Sequence, residues 1–289
     1  MRERLFRSFS PLFGLLFVVL WSTGFVGARM GLPHADPLTF LLLRYVIVLV
    51  FMLLLALVFK APWPASPRDW LHIGVAGMLV HGIYLGGVFI SISRGLPAGV
   101  ASLVVSVQPL LTAVFAARLL GSQVGVRQWL GLLLGLAGVA LVLWGKLGAE
   151  FGWTALIPAL VALLAITAGT LYQKRYCASF DWRTGAVAQF LPVALFTALG
   201  ALLFEDFRVE WTGELIFALG WLVLVLSIGA ISLLNWLIRN QTAVNVASLF
   251  YLVPPSTALF AWWLFGETFS VLALFGMLIA VWGVYLARR

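Results

Sequence analysis

Residues 100–109 read VASLVVSVQP, and residues 246–255 read VASLFYLVPP. Both stretches begin with Val-Ala-Ser-Leu, and a valine and a proline then recur in the same register, 146 residues apart. Three glycines recur 145 residues apart: Gly24 as Gly169, Gly131 as Gly276 and Gly138 as Gly283. Because separate stretches agree on nearly one spacing, we predict an internal duplication. Residues 1–147 form the first copy and residues 148–289 form the second.

The composition around this repeat is that of a membrane protein. Of the 289 residues, 63% are hydrophobic and 10% are charged, whereas about 25% of the residues in an average soluble domain are charged. The formal net charge is +8, but the basic residues stand singly between apolar runs, which predicts topological anchors and no nucleic-acid partner. Cys177 is the sole cysteine, so a disulfide framework and a multi-cysteine metal site are excluded.

A search for apolar runs of about 20 residues, the length that crosses a bilayer of about 30 Å, finds ten stretches. They cover residues 11–28, 37–59, 70–93, 96–117, 128–145, 151–173, 184–204, 215–238, 242–266 and 268–287. The runs are apolar throughout and do not alternate over about ten residues, which favours helices over a membrane β-barrel. The predicted fold is an all-α integral membrane protein with ten transmembrane helices and short loops.

The lysines and arginines predict the orientation of these helices. Thirteen of them lie at the N-terminus, in the even-numbered loops or at the C-terminus, and four lie in the odd-numbered loops. Since cytoplasmic loops carry the excess of basic residues, both termini are predicted to be cytoplasmic. The expected location is the cell inner membrane, as a multi-pass protein.

Each predicted copy holds five helices. Because five is odd, the second copy starts on the opposite side of the membrane, so the repeats are inverted. Inverted repeats can exchange conformations around a central site, which is typical of alternating-access transporters. Pro109 and Pro255 occupy equivalent positions in spans four and nine and predict paired kinks, which act either as hinges or as fixed bends. Glycines in spans five and ten predict close helix packing, with these two spans as a scaffold.

Several motifs resemble the EamA family of the drug/metabolite transporter superfamily. They are Trp21-Ser22-Thr23-Gly24-Phe25, Pro37-Leu38-Thr39-Phe40 with Arg44, the Ala/Ser-rich starts of spans four and nine with Pro109 and Pro255, and Gly266-Glu267 before the helix of Gly276 and Gly283. The first copy departs from the family pattern, since Gly121-Ser122 replaces its Gly-Glu. The resemblance covers the whole chain and implies a ten-helix transporter of a small metabolite. Within the family, the chain is most similar to exporters of amino acids, among them the YddG-type exporters of aromatic amino acids.

Polar and aromatic side chains inside the spans are the candidate substrate-binding residues. They are Trp21, Ser22, Thr23, Arg44, His81, Tyr84, Gln108, Thr167, Thr170, Gln189, Asn235, Ser248 and Tyr251. Arg44 is the one basic residue well inside a span, where a charge costs at least about 2.5–3.5 kcal/mol, so we expect it to face protein or water. It either binds a substrate carboxylate or braces backbone carbonyls. Similarly, His81 either lines a cavity or makes a structural contact. The serines and threonines either line the cavity or join helices by hydrogen bonds. Trp21 and Tyr84 either line the cavity or pack against neighbouring side chains.

The acidic residues carry a prediction about energy coupling. All ten lie outside the spans or at their edges, whereas proton- and sodium-coupled carriers commonly use an intramembrane carboxylate. The sequence therefore predicts facilitated transport down a substrate gradient, with His81 as the one residue in the spans suited to carry a proton. Neither a cofactor, a metal site nor a catalytic residue is predicted.

The interpretation that best fits the sequence is an exporter of small metabolites, with amino acids bearing apolar or aromatic side chains favoured. The expected partners are a small-molecule substrate and the lipid bilayer, and the expected state is a monomer, with a dimer as the alternative. The alternative functions are a flippase of lipids or lipid carriers, an exporter of drugs, nucleosides or other metabolites, and a channel. A membrane-embedded enzyme is disfavoured, because the spans lack a constellation of nucleophile, acid–base group or metal ligands.

Overall fold

A computed structural model describes residues 2–121, 123–144, 152–177, 180–266 and 270–288, which form ten helices, α1 to α10. The first repeat contains α1 (Arg2–Gly31), α2 (Pro37–Val58), α3 (Pro67–Gly77, Met78–Ile83 and Tyr84–Ser93), α4 (Ala98–Val105 and Gln108–Leu120) and α5 (Val126–Leu143). The second contains α6 (Trp153–Tyr176), α7 (Trp182–Phe204), α8 (Gly213–Trp221, Leu222–Ala230 and Ile231–Asn240), α9 (Ala243–Ser248, Leu249–Leu252 and Val253–Phe265) and α10 (Val271–Ala287). The middle segments of α3 and α8 are π-helical, and the middle segment of α9 is a 3₁₀ helix.

The all-α membrane fold is confirmed. Eight of the ten helices are long and apolar enough to cross a membrane, and α5 and α10 are shorter apolar helices. Several predicted boundaries are wrong by a few residues; α3, for example, begins at Pro67 and not at residue 70. Ser66 extends the helix by accepting a hydrogen bond from the backbone N–H of Asp69, whose carboxylate accepts one from the backbone N–H of Ser66 in return.

The duplication is visible in where the helices begin and end. Pro37 and Trp182 begin α2 and α7, 145 residues apart, whereas Pro67 and Gly213 begin α3 and α8, 146 residues apart. Gly121 and Gly266 end α4 and α9 in the left-handed conformation, with φ of 64° and 66°, which favours glycine because it has no Cβ. The predicted boundary between the copies at residues 147 and 148 lies outside the described residues, as do Ser122 and Glu267.

The first and seventh loops meet at one face of the bundle, and the second and sixth loops meet at the other. Ala35 in the first loop forms an isolated β-bridge with Val209 in the seventh. At the opposite face, the hydroxyl of Thr184, just after the sixth loop, donates to the carbonyl of Pro62 in the second at 2.7 Å. We call the face of the first and seventh loops the odd-loop face and the opposite one the even-loop face. The equivalent helices α2 and α7 begin at opposite faces, so the second five-helix repeat is inverted relative to the first.

Helices α5 and α10 pack backbone to backbone. A Cβ placed on Gly138 would lie 2.7 Å from the carbonyl oxygen of Gly276, and a Cβ on Gly131 would lie 2.7 Å from that of Gly283. Gly276 and Gly283 face the backbone of α5 in the same way. Because glycine at these four positions permits so close an approach, the predicted scaffold of the two last helices is confirmed.

This packing predicts a sharp difference between two glycine substitutions. Gly138→Ala forces a methyl group into the backbone of α10, and overpacking of this kind costs about 1–3 kcal/mol. We expect the midpoint of thermal unfolding in detergent to fall by several degrees. Gly220→Ala in α8 is the matched control, because a Cβ there meets nothing within 4 Å and alanine favours the helix. Equal midpoints for the two variants would contradict the packing.

Candidate functional site

A small cavity lies in the half of the bundle nearest the odd-loop face, and its volume is about 30 Å³. Its walls come from α1, α2, α3 and α8, and they are formed by Trp21, Gly24, Phe25, Ala28, Arg44, Tyr84, Leu85, Val88, Phe89, Leu226 and Ile231. The lining is apolar and aromatic apart from Arg44 and the hydroxyl of Tyr84. A volume of this size holds about two water molecules, so the structure shows a narrow state of the cavity.

Arg44 supplies a positive charge to this apolar wall. The residue is 3% exposed, and its Nε–H donates to the hydroxyl oxygen of Ser227 on α8 at 2.8 Å. A guanidinium has five N–H donors in a rigid fork that matches a carboxylate. Ser227 fixes one edge of this fork, while the side chain as a whole forms part of the cavity wall.

Trp21 and Tyr84 form the aromatic part of the wall. Their rings are nearly parallel, with an angle of 11° and 6.3 Å between ring centroids. Trp21 also packs edge-on against Phe250 of α9, at 5.5 Å between centroids. The two neighbours of Trp21 in the sequence motif serve the helices instead, because Ser22 donates to the carbonyl of Val18 and Thr23 accepts a hydrogen bond from the indole N–H of Trp221.

His81 and Gln189 lie between α3 and α7, apart from the cavity. His81 is in the π-helical segment of α3, where its carbonyl accepts a hydrogen bond from the hydroxyl of Tyr45 and its ring stacks on Phe190 at 4.7 Å. The buried side chains of His81 and Gln189 meet each other, and neither makes a hydrogen bond to a third residue among those that the structure describes. Such groups are costly in a membrane interior.

The remaining candidates lie elsewhere in the bundle. Gln108 donates weakly to the hydroxyl of Thr170 at 3.4 Å, and Thr167 donates to a carbonyl in its own helix. Ser248 likewise donates to the carbonyl of Asn245. Tyr251 packs against α5, because a Cβ on Gly135 would lie 2.5 Å from its ring. The structure thus groups Trp21, Arg44 and Tyr84 at one cavity and distributes the other candidates over the helix contacts.

Asn235 is part of a polar closure near the even-loop face. Its side-chain oxygen accepts a hydrogen bond from the amide of Gln173 on α6 at 2.7 Å. One residue further, the ammonium of Lys174 donates to the carbonyls of Ile238 and Arg239 at the end of α8. The sequence analysis missed Gln173 and Lys174 because the sixth span was predicted to end at residue 173, whereas α6 continues to Tyr176.

Both candidate hinge prolines follow a break in their helix. In α4 a turn at residues 106–107 separates the two segments, and Pro109 lies in the first turn of the second segment. In α9 the break is the 3₁₀ segment Leu249–Leu252, and Pro255 lies in the first turn after it. The missing N–H of proline is tolerated at such a position, so the paired breaks belong to the fold, while a hinge movement stays a prediction.

The described acidic residues lie at helix ends and in loops. Glu205 accepts hydrogen bonds from the backbone N–H groups of Leu38 and Thr39 and so caps α2 from the seventh loop. Asp181 caps α7, and hydrogen bonds from Arg183 hold the pKa of its carboxyl below the ordinary value. In the part of the chain that the structure describes, no three His, Cys, Asp or Glu side chains group as metal ligands. Burial raises the pKa of the Cys177 thiol to about 11, which keeps it protonated at neutral pH.

Two inverted five-helix repeats with a cavity near their interface define a membrane transporter of the inverted-repeat class. The model of the EamA-like transporter family matches the chain twice, over residues 8–144 and 153–289. The chain therefore belongs to the EamA-like transporter family. It is a multi-span membrane transporter and not an enzyme.

Relatives of known name agree with this assignment. The chain is 28% identical to the "uncharacterized inner membrane transporter YedA" of Escherichia coli K12, over 97% of this chain and 92% of the relative. It is 26% identical to a "probable amino-acid metabolite efflux pump" of Salmonella typhimurium, over 94% of this chain and 92% of that protein. A protein of known crystal structure shares the fold, with a TM-score of 0.77 and 23% identity, over 96% of this chain and 95% of the other.

The Gln173–Asn235 pair predicts a non-additive effect on stability. Gln173→Leu or Asn235→Leu alone leaves one buried amide unpaired, which costs about 1–3 kcal/mol. We expect the unfolding temperature of the double variant to fall by less than the sum of the decreases in the two single variants. A double-mutant cycle in detergent measures this difference. Asn240→Leu, at an exposed amide of the same helix, is the control, and strict additivity would contradict the pair.

Proposed function

We propose that this protein is an alternating-access exporter of small metabolites, and that its substrates are amino acids with apolar or aromatic side chains. The observation that carries the proposal is the buried cation of Arg44 in an otherwise apolar and aromatic cavity wall. A ligand that fits this wall has an anionic group for Arg44 and a hydrocarbon body, and the α-ammonium of an amino acid is left to the hydroxyl oxygen of Tyr84 and the aromatic faces of the lining.

The guanidinium of Arg44 is suited to the substrate carboxylate. Ser227 orients its Nε edge, and charge-assisted hydrogen bonds from the other N–H groups are stronger in a site that excludes water. Trp21, Phe25 and Phe89 then surround the side chain of the substrate. The relative named as an amino-acid metabolite efflux pump supports the same substrate class.

Transport requires the cavity to grow. Because the observed volume of about 30 Å³ is far below that of an amino acid, substrate enters only when α1, α3 and α8 move apart. The repeats provide this movement because they are related by a pseudo-two-fold axis and can exchange conformations. The broken helices α4 and α9 are the proposed hinges, with Pro109 and Pro255 next to the breaks.

We further propose that transport is facilitated and that both termini are cytoplasmic. Every acidic residue lies at a span edge or outside the spans in the sequence, which leaves coupled proton or sodium transport without its usual carboxylate. The basic residues favour the even-loop face as the cytoplasmic one. The proposed location is the cell inner membrane, and the proposed working unit is a monomer that binds a small molecule and no nucleic acid.

The direct test is counterflow in proteoliposomes with the purified protein. We expect vesicles loaded with leucine or phenylalanine to take up labelled amino acid, with competition by other apolar amino acids and little by aspartate or nucleosides. An imposed pH or sodium gradient is expected to leave the steady-state distribution unchanged. Accumulation driven by either gradient would refute facilitated transport, and selective transport of a nucleoside or lipid would refute the substrate class.

Arg44 gives the test of substrate recognition. Arg44→Gln removes the charge but keeps a polar side chain, so we expect the KM for leucine to rise at least tenfold, as measured in the same counterflow assay. Competition by leucinamide, which lacks the carboxylate, is expected to change much less. For Arg44→Lys, which keeps the charge without the fork, we expect a KM between those of the wild-type protein and Arg44→Gln. An unchanged KM in Arg44→Gln would show that the substrate carboxylate does not bind Arg44.

A further inference from the structure

The repeat relates the observed cavity to a second region of the bundle. At the spacings shared by the helix boundaries, Arg44 corresponds to Gln189, and Phe25 corresponds to Thr170. Leu85 and Ile231 correspond to each other and both line the observed cavity. The cavity therefore lies beside the pseudo-two-fold axis that relates the repeats. Its counterpart lies on the other side of this axis, toward the even-loop face.

Equivalent contacts confirm that the two regions are built alike. A Cβ on Gly24 of α1 would meet the side chain of Leu226 on α8 at 3.3 Å. Its counterpart, Gly169 of α6, would meet the side chain of Val80 on α3 at 2.7 Å. Val80 and Leu226 are themselves repeat partners, 146 residues apart, so α6 meets α3 where α1 meets α8.

The regions differ in whether they are open. Ala28 and Phe89 line the observed cavity, and their repeat partners are Gln173 and Asn235. These two partners are joined by the 2.7 Å hydrogen bond between α6 and α8. The counterpart region is thus closed by a polar contact at the positions where the observed cavity is open and apolar.

The closed region also contains two buried polar side chains that have few partners. Gln189 takes the place of Arg44, and His81 takes the place of Ser227, the residue that holds Arg44. Both lie at 1% exposure or less, and their side chains meet each other but no third hydrogen-bonding group among the described residues. Since buried polar side chains with few partners are costly in a membrane, a second conformation in which a ligand or water reaches them is favoured.

We propose that this region is a second substrate-binding cavity, closed in the present structure, that opens toward the even-loop face when the Gln173–Asn235 hydrogen bond breaks. Gln189 and His81 offer hydrogen-bond donors for a substrate carboxylate without the full charge of Arg44, and Thr170 occupies the position of Phe25 in its wall. The existence of the cavity rests on the repeat and on these contacts, and does not depend on the identity of the substrate. Its ligand, an amino acid, rests on the function proposed above.

Cysteine labelling from each side of the membrane tests the second cavity without requiring transport. Thr170→Cys and its repeat partner Phe25→Cys are introduced singly into Cys177→Ser protein, and a membrane-impermeant maleimide is applied to cells and to inverted vesicles. We expect Phe25→Cys to react from the odd-loop face and Thr170→Cys from the even-loop face. Leu160→Cys, which is 42% exposed on the outer surface of α6, is the lipid-facing control and is expected to stay unlabelled.

A repeat swap tests the closure. Gln173→Ala with Asn235→Phe gives the closed region the residues that its partner already has at Ala28 and Phe89. We expect labelling of Thr170→Cys from the even-loop face to rise at least fivefold and labelling of Phe25→Cys to fall. Gln173→Ala alone removes the same hydrogen bond with a smaller change and is expected to act in the same direction. Unchanged labelling of Thr170→Cys in both backgrounds, in protein that stays folded, overturns the cavity.

Substrate protection separates this proposal from the proposed function. Saturating leucine is expected to slow labelling of Thr170→Cys at least threefold in the repeat-swap protein. If the cysteine is labelled from the even-loop face but leucine gives no protection, the second cavity stands and its assignment to amino acids is wrong. If counterflow of leucine is found but Thr170→Cys is never labelled, the proposed function stands and the second cavity is wrong.

Discussion

Lipid supplies no hydrogen bonds, and this constraint organises the whole bundle. Some polar groups at helix ends are satisfied within their own segment, and others find a partner from another element of the fold. Glu205 takes the first N–H groups of α2, and Lys174 donates to the last carbonyls of α8. The first contact joins two elements at the odd-loop face, and the second joins two elements at the even-loop face. The requirement for hydrogen bonds therefore also fixes which loops lie together.

The same constraint explains the division of labour among the helices. Helices α5 and α10 are short and apolar, and their glycines allow backbone contact between them. Helices α3 and α8 instead carry π-helical segments at equivalent places, and His81 and Ser227 lie in these segments. A π-helical segment shifts the register of side chains and is frequent at functional sites. Close backbone packing therefore belongs to the last helix of each repeat, and the π-helical segments with buried polar residues belong to the third.

The sequence predicted the architecture well because its signals are local or periodic. Continuous apolar runs gave the ten helices, and recurring motifs such as Val100–Leu103 gave the duplication. The candidate site was predicted less completely, because a side chain's direction depends on which helices pack together. Tyr251 and Arg44 are both polar residues inside a span, but Tyr251 packs against Gly135 and Arg44 lines the cavity. Gln173 was missed because it lies at the end of a predicted span, and its partner is 62 residues away in the chain.

The two repeats differ by one positive charge where Arg44 in α2 corresponds to Gln189 in α7. On the proposed mechanism, this difference gives a carboxylate a stronger site in the half near the odd-loop face than in the half near the even-loop face. A facilitator reaches equal substrate concentrations on both sides whatever the affinities of its two states, because binding shifts only the population of those states. The asymmetry therefore sets the concentration at which each face saturates, and the direction of net flux follows from the substrate gradient. An arginine at position 189 would remove this source of asymmetry, so one charge inside the bundle is enough to make an inverted-repeat carrier behave differently toward its two sides.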